Sequence, residues 1–126
     1  MSHHWVLSRV LPILLCFGSS LTWANGSEEI EELINNHNNV IILYYSAMCY
    51  YCNILKPTWI KLCECLKNKK DIIIVNVESS NIKHFKTKYK KGITGYPTIL
   101  KFCKGKKKSE YNGNRQLSDL KKFAKK

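Results

Sequence analysis

The feature that most constrains the fold of this chain is a pair of cysteines, Cys49 and Cys52, between two segments of different periodicity. The segment before them, Val40 to Tyr45, is a continuous apolar run of β-forming residues, which is typical of a strand buried on both faces. From Cys49 to about Leu66 the apolar residues recur at helical spacing. The pattern therefore places Cys49 where a strand leads into the first turn of a helix.

A cysteine at such a junction is predicted to be reactive. Free backbone N–H groups and the dipole of a helix N-terminus stabilise negative charge, so the pKa of Cys49 should fall below the ~8.5 of a free thiol. Two intervening residues bring Cys52 to the same end of the helix, where it can resolve a mixed disulfide formed by Cys49. We interpret the pair as a dithiol redox site that needs no cofactor beyond its own redox-active disulfide.

Half of a zinc site is the main alternative interpretation of a Cys-x-x-Cys motif. The remaining ligands would have to come from Cys63, Cys65, His37 or His84, and these residues form no second closely spaced pair. The strand–turn–helix context favours redox chemistry, so no metal site is predicted.

The first 24 residues are predicted to be a signal peptide, and residues 25–126 a single domain. A weakly basic start with Arg9 precedes the apolar run Val10 to Phe17, and small residues follow as far as the expected cleavage near Ala24. The run is too short to span a bilayer. An uncleaved anchor or a buried N-terminal helix is the alternative. The predicted location is the secretory pathway, in the endoplasmic reticulum lumen, in a vacuole or outside the cell, with no membrane span after cleavage.

The charge of the chain is strongly positive, with 21 Lys and Arg against nine Asp and Glu. Lysines crowd the stretches Lys83–Lys91 and Lys104–Lys108. Nucleic acid or an acidic membrane would be attracted to such a surface. The lysines do not alternate with aromatic residues as a base-stacking platform requires. We interpret them as solvated turns and predict no nucleic-acid partner.

The pattern along the rest of the chain predicts alternating helices and strands. Helices are predicted from Ser27 to about Asn35, over Cys49–Leu66, Asn81–Tyr89 and Leu117–Ala124, and strands over Val40–Tyr45, Ile72–Val77, Thr98–Cys103 and Lys108–Tyr111. The βαβ order gives a parallel pair and the turn near Gly105 gives an antiparallel pair. The predicted fold class is therefore α/β, a mixed sheet flanked by helices.

Two separated segments carry a family resemblance. They are Tyr44 to Cys52 with Leu55-Lys56-Pro57, and Gly92 to Thr98. Asn76-Val77-Glu78 and Tyr111-x-Gly113-x-Arg115 match in order and spacing. Together they resemble the thioredoxin superfamily, and most closely a single catalytic domain of the protein disulfide isomerases. The resemblance implies a thioredoxin fold, but too few residues precede Val40 for the family's first strand, so a four-stranded sheet is expected.

The resemblance also implies roles for individual residues. Cys49 would be the nucleophile and Cys52 the resolving thiol. Tyr96-Pro97, with a cis peptide bond, would line the substrate groove, where the backbone of Tyr96 can pair with an extended peptide. Arg115 matches an arginine that lowers the pKa of the second cysteine, although it can equally be a plain surface residue. The substrate-binding set is completed by the residues between the cysteines, Tyr50 and Tyr51.

The function implied is that of a thiol–disulfide oxidoreductase that acts on cysteine-containing client proteins and exchanges electrons with an upstream dithiol reductase or oxidase. Three departures weaken it. Met48 replaces a tryptophan, Leu43 replaces a buried carboxylate that shuttles a proton to the resolving cysteine, and the Tyr-Tyr dipeptide lacks a histidine. The alternative function is a redox-weak accessory or chaperone-like module that binds client proteins or a larger assembly.

The remaining cysteines are predicted to be non-catalytic. Cys63 lies about three helical turns after Cys52 on the same face, so it is predicted to be a core residue. Cys65 points away from it and cannot pair with it. Cys65 is therefore expected to be an exposed thiol that can form an intermolecular disulfide.

Overall fold

The computed structural model describes residues 27–126 in full and, before them, the backbone of two short strands. The strands are β1 (Ile13–Phe17), β2 (Ser20–Trp23), β3 (Val40–Tyr45), β4 (Ile73–Glu78), β5 (Thr98–Cys103) and β6 (Lys106–Glu110). The helices are α1 (Ser27–Asn36), α2 (Tyr50–Leu66), α3 (Thr87–Lys90) and α4 (Leu117–Lys125), with a 3₁₀ helix over Ser79–His84. No helix in this part of the chain has the length and apolar character needed to cross a membrane.

The sheet is mixed, with the strands in the order β2-β1-β4-β3-β5-β6. The central strand β3 is parallel to β4 and antiparallel to β5, and β5 and β6 form an antiparallel hairpin. Within residues 27–126 this is the predicted four-stranded mixed sheet with helices on both faces, and the thioredoxin fold is confirmed.

Two further strands extend the sheet beyond the expected four. The hairpin of β1 and β2 pairs antiparallel with the outer edge of β4, with Leu15 opposite Val75. An apolar, β-prone segment can satisfy the backbone groups of an edge strand that would otherwise stay open. These strands fall in the segment assigned to the signal peptide, which stays a prediction because the cleavage point at Ala24 lies outside the described residues.

Each face of the sheet carries its own hydrophobic core. Helices α2 and α4 cover one face, where Trp59, Leu62 and Leu120 pack against β3 and β5. Helices α1 and α3 cover the other, where Ile30, Ile34 and Tyr89 pack. The tyrosine hydroxyl of Tyr44 donates a hydrogen bond to the carbonyl of Tyr89 within that second core. The five apolar residues predicted for the inner face of α2 are all buried, namely Leu55, Trp59, Leu62, Cys63 and Leu66.

Two predicted elements differ in detail. The single helix predicted over Asn81–Tyr89 is a 3₁₀ helix and α3, because Phe85 between them is extended (φ −89°, ψ 150°). Strand β6 begins at Lys106 rather than Lys108, because Lys104 (φ 50°) and Gly105 (φ 82°) make a two-residue hairpin turn. Glycine suits residue 105 because of its positive φ, and a Cβ there would also lie 2.3 Å from Oδ1 of Asn35 and displace that side chain.

Candidate active site

The first cysteine of the motif caps a helix. Cys49 has extended backbone angles (φ −87°, ψ 123°) and is the N-cap residue of α2. Its Sγ accepts a hydrogen bond from the backbone N–H of Cys52 at 3.3 Å. Its own N–H donates to the carbonyl of Ser46 at 3.1 Å, which closes the turn between β3 and the helix. The sulfur therefore takes the position that a side-chain oxygen usually occupies at a helix N-terminus.

The surroundings favour the thiolate form of Cys49. Partial burial alone would raise its pKa, but hydrogen bonds from the thiol of Cys52 and from the N–H groups of Cys52 and Tyr51 lower it, as does the charge of Arg115. The net effect lowers the pKa of Cys49 below its ordinary value. The sequence-based expectation of a reactive first thiol therefore has a geometric basis in this structure.

The second cysteine is in the opposite situation. Cys52 is buried in the core under α2, and only 1% of its surface is exposed. Burial, followed by the hydrogen bond to Cys49, raises the pKa of the Cys52 thiol well above its ordinary value. The pair is therefore asymmetric, with one accessible thiol that ionises readily and one buried thiol that keeps its proton. Both are free thiols in this structure.

The second signature segment lies directly against the first. The peptide bond between Tyr96 and Pro97 is cis, as the resemblance implied. The carbonyl oxygen of Tyr96 accepts a hydrogen bond from Sγ of Cys49 at 3.5 Å. The hydroxyl of Thr98 donates to the carbonyl of Gly95 at 2.7 Å and closes the turn around the proline. The fold thus brings together Cys49, Cys52, Tyr96 and Pro97, as the sequence predicted.

The positive charge of Arg115 adds the smallest of the contributions that lower the pKa of Cys49. For Cys52 it only partly offsets the burial that raises the pKa of that thiol. Arg115 is exposed, in the loop before α4. The hydroxyl of Tyr111 donates to the carbonyl of Asn114, and Oδ1 of Asn114 accepts from the N–H of Gln116 at 3.0 Å. These bonds shape the loop on both sides of the arginine.

An exposed apolar collar surrounds the reactive thiol. We use this name for Met48, Tyr50, Tyr51, Ile54 and Tyr96, whose exposed fractions run from 92% for Met48 to 36% for Tyr96. Among the described residues these are the large hydrophobic side chains that are exposed. Tyr50 and Tyr51 contact each other edge to face, with ring centroids 5.3 Å apart. Contiguous exposed apolar patches are typical of binding surfaces, and substrate binding by Tyr50, Tyr51 and Tyr96 stays a prediction.

Among the described residues, the core that contains Cys52 is formed by apolar side chains and cysteines, with one buried amide beside it. Leu43, 1% exposed, occupies the family's carboxylate position and packs in the same core as Cys52. Opposite Leu43 in the sheet is Asn76, whose Oδ1 accepts a hydrogen bond from Nε1 of Trp59 at 2.6 Å. At this position in the sheet, the polar group of the core is therefore the amide of Asn76.

Sequence reasoning missed the role of Glu78, which holds the loop before Cys49. Its carboxylate accepts hydrogen bonds from the backbone N–H groups of Ala47 at 3.2 Å and Ser80 at 2.8 Å. Burial opposes ionisation, but these bonds and those from the Ser79 and Ser80 hydroxyls lower the pKa of Glu78. A carboxylate at a strand end followed by two serines is a capping signal that could have indicated it.

The other cysteines are partly as expected. Cys65 is exposed with a free thiol, and Cys103 is a partly exposed free thiol. Cys63 is buried, but it is also disulfide-bonded, which the assignment to the core did not anticipate. Among the residues described, no three His, Cys, Asp or Glu side chains come close enough to hold a metal ion together.

Comparisons with known proteins agree with this geometry. The thioredoxin family profile matches residues 22–126. Protein disulfide isomerase-like 2-2 of Oryza sativa is 32% identical over 100 residues, covering 78% of this chain and 26% of the rice protein. Protein disulfide-isomerase erp38 of Neurospora crassa is 35% identical over 95 residues. The match covers 75% of this chain and 26% of the Neurospora protein.

The chain thus spans about a quarter of the length of these curated relatives. Among solved structures, thioredoxin from Aeropyrum pernix superposes with a TM-score of 0.72 at 20% identity, covering 94% of this chain and 97% of its own. That likeness concerns the fold alone. With the family profile matched over residues 22–126 and the dithiol, the cis proline and the mixed sheet in place, this chain belongs to the thioredoxin family.

Proposed function

We propose that this chain is a thiol–disulfide oxidoreductase of the secretory pathway that acts on protein disulfides through Cys49 and Cys52. The observation that carries the proposal is the asymmetry of the pair. Cys49 is an accessible N-cap thiol with a lowered pKa, and Cys52 is a buried thiol with a raised pKa, one helical turn away. The names of the rice and Neurospora relatives, both protein disulfide isomerases, support the same reaction class.

The reaction follows from these positions. The Cys49 thiolate attacks one sulfur of a client disulfide; the client S–S bond breaks, a mixed disulfide with Cys49 forms, and the departing client thiolate takes up a proton. Cys52 then loses its proton and attacks the Cys49 sulfur, which releases the second client thiol. The client is reduced by two electrons while Cys49 and Cys52 become a disulfide. Run in reverse, the same steps oxidise a client dithiol.

The apolar collar and the turn at Tyr96-Pro97 supply the client-binding surface. An extended peptide with apolar side chains can bury them against Tyr51 and Ile54, which are 61% and 56% exposed. Its backbone can pair beside Tyr96, whose carbonyl already lies 3.5 Å from Sγ of Cys49. The substrate class that fits is a disulfide in an unfolded or extended polypeptide, rather than a small hydrophilic disulfide.

A second candidate is a redox-weak accessory module that binds clients or a larger assembly. Leu43 favours it, because no carboxylate is available at that buried position to take the proton from Cys52. The resolving step then depends on water or on hydroxide. Met48, 92% exposed where the family has tryptophan, enlarges the binding surface without contributing to proton transfer.

Insulin reduction with dithiothreitol as the electron source separates the two candidates. If the chain is an enzyme, the unaltered chain should reduce insulin and Cys49→Ser should not. Cys52→Ser should accumulate the mixed disulfide between Cys49 and insulin. Cys65→Ser is the matched control, because Cys65 is an exposed thiol away from the motif, and it should retain full activity. The enzyme hypothesis is contradicted if the unaltered chain shows no turnover, or if turnover persists in Cys49→Ser. Client binding without turnover would support the accessory module.

The location in the secretory pathway rests on the predicted signal peptide. N-terminal sequencing of the protein recovered from eukaryotic microsomes should begin at Asn25, with the chain protected from added protease. An intact N-terminus exposed to protease would contradict it. In the same preparation, a non-reducing gel of Cys65→Ser against the unaltered chain tests whether Cys65 forms an intermolecular disulfide.

A further inference from the structure

Lysines of two elements meet at the outer edge of the sheet. We call the set Lys88, Lys90, Lys91, Lys106, Lys107 and Lys108 the basic edge. Helix α3 packs against β6, and Nζ of Lys107 lies 3.4 Å from the position of a Cβ on Gly92, just after α3. Lys107 therefore lies on the α3 side of β6, whereas Lys108 lines a cavity with Glu110 and Asp119 on the α4 side. The six lysines thus lie on both sides of this edge, although β5 separates the two elements in sequence.

Positive charge is in excess on this surface, although Glu110 ends β6 and lines a cavity together with Lys108 and Asp119. The sequence contains no Asp or Glu between Ser79 and Ser109. Within residues 27–126 the ion pair that forms is Lys86 with Glu31, at 4.0 Å, and none of the six lysines takes part in it. All five residues of β6 are exposed. A surface with an excess of positive charge raises the local concentration of anionic partners.

The same surface presents an open backbone edge. Strand β6 is the last strand of the sheet and pairs with β5 on one side only. In the described part of the chain, no backbone hydrogen bond from another segment reaches the outer side of Lys106–Glu110. Its N–H and C=O groups on that side can therefore accept a further strand.

Lysines on an edge strand commonly prevent unwanted strand pairing. That explains why a second copy of this edge would be rejected, since like charges directly opposite each other destabilise a strand pair. It does not account for the three lysines of the α3 segment beside β6. Opposite charges across a strand pair are stabilising, so an edge that rejects itself is complementary to an acidic strand.

We propose that the basic edge is a docking site for an extended acidic segment of a partner protein, which adds as a strand to the outer side of β6. The backbone edge selects an extended polypeptide over a membrane surface or a nucleic acid, because neither of those can pair with a strand. The six lysines select glutamate or aspartate side chains. This site does not involve the dithiol and does not depend on the redox activity.

The test is binding of a fluorescein-labelled ten-residue peptide of alternating Glu and Thr to the full chain, followed by anisotropy. Binding should weaken steeply when salt is raised from ~0.01 M to ~0.15 M, because the Debye length falls from about 30 Å to about 8 Å. Replacing Lys106, Lys107 and Lys108 together by Gln should lower the affinity about tenfold or more, as expected when several facing charges are removed. Hydrogen exchange at Lys106–Glu110 should slow when the peptide is bound.

Two controls make the outcome decisive. Replacing the exposed Lys67, Lys69 and Lys70 by Gln removes the same charge away from the edge and should leave the affinity nearly unchanged. A peptide with Pro in place of every Thr keeps its charge but cannot form a strand pair, and it should bind much more weakly. Equal losses for both lysine triples, equal binding of the proline peptide, or unchanged exchange in β6 would overturn the proposal. So would tighter, edge-dependent capture by phosphatidylserine vesicles or a single-stranded oligonucleotide.

Discussion

The indole N–H of Trp59 donates a 2.6 Å hydrogen bond to Oδ1 of Asn76, and both side chains are fully buried. The bond joins the middle of α2 to β4 within the core that also contains Cys52. The other amide atom of Asn76, Nδ2, has no hydrogen-bond partner within the described residues. This bond is therefore a buried polar contact that joins the dithiol helix to β4, in addition to the apolar packing of Leu55, Leu62 and Leu66.

We expect Trp59→Phe to lower the free energy of unfolding by about 1–3 kcal/mol from the stranded amide, plus a contribution from the lost ring volume. Urea unfolding followed by far-UV circular dichroism measures it. The double variant Trp59→Phe with Asn76→Leu removes both partners, so its loss should be smaller than the sum of the two single losses. Strictly additive losses would mean that the bond contributes nothing.

The raised pKa of Cys52 predicts that resolution of the mixed disulfide depends on pH. Below its pKa, the thiolate fraction of a group rises about tenfold per pH unit, so the resolving rate should do the same between pH 7 and 9. The measurement is the second phase of nitrothiobenzoate release after Ellman's reagent reacts with Cys49, with Cys65 and Cys103 replaced by serine. Adding Cys52→Ser should abolish this phase. A rate that levels off below pH 8 would show that Cys52 is not protonated as proposed.

The charge of Arg115 lowers the pKa of Cys49, and its removal should be measurable in alkylation. For Arg115→Gln the pKa of Cys49 rises, less thiolate is present at pH 7, and the iodoacetamide rate should fall about two- to threefold. The difference should disappear well above both pKa values and shrink at high salt. Arg115→Lys should restore the rate, and Lys122→Gln, an exposed charge on α4, should not change it. Equal rates for Gln and Arg at residue 115 would make the arginine a plain surface residue.

The apolar collar predicts a separation of binding from chemistry. Tyr51→Ser or Ile54→Ser should raise KM for insulin about fivefold each, corresponding to ~1 kcal/mol of lost apolar contact. Neither should alter the alkylation rate of Cys49, because the side chains do not contribute to its pKa. Lys61→Ser, exposed on the same helix, is the matched control. If KM is unchanged while kcat falls, the collar acts on the chemistry instead.

Much of the fold is readable because its signals are local. Strand β3 is observed as predicted, since a short apolar run rich in β-branched and aromatic residues is typical of a strand buried on both faces. Helix α2 begins one residue after the predicted start, because Cys49 itself serves as the cap. The helix predicted over Asn81–Tyr89 is broken, since Glu78 caps a short 3₁₀ turn and Phe85 must extend to reach the core. The periodicity of apolar residues does not indicate such a packing requirement.

The candidate site, too, was predictable only where its residues are close together in the sequence. Cys49 and Cys52 are adjacent in sequence, so their meeting at one helix end follows from helical geometry. The two serines after Glu78 could have indicated its capping role, but its bond to the N–H of Ala47, 31 residues away, has no local signal in the sequence. Only the parallel pairing of β3 and β4, which sets Tyr45 opposite Glu78, brings the carboxylate to the loop.

By itself, the sequence determined the main helices and strands of residues 27–126, their buried faces and the identity of the dithiol, because these depend on spacing within one element or one turn. The tertiary structure added the burial that raises the pKa of Cys52 and so makes the two thiols unequal. The sulfur of Cys49 lies at a helix end 3.5 Å from the Tyr96 carbonyl, whereas packing against the sheet removes Cys52 from water. It also decided that distant lysines share one open sheet edge. Burial and electrostatics depend on the distances between segments, and only the packed chain sets those distances.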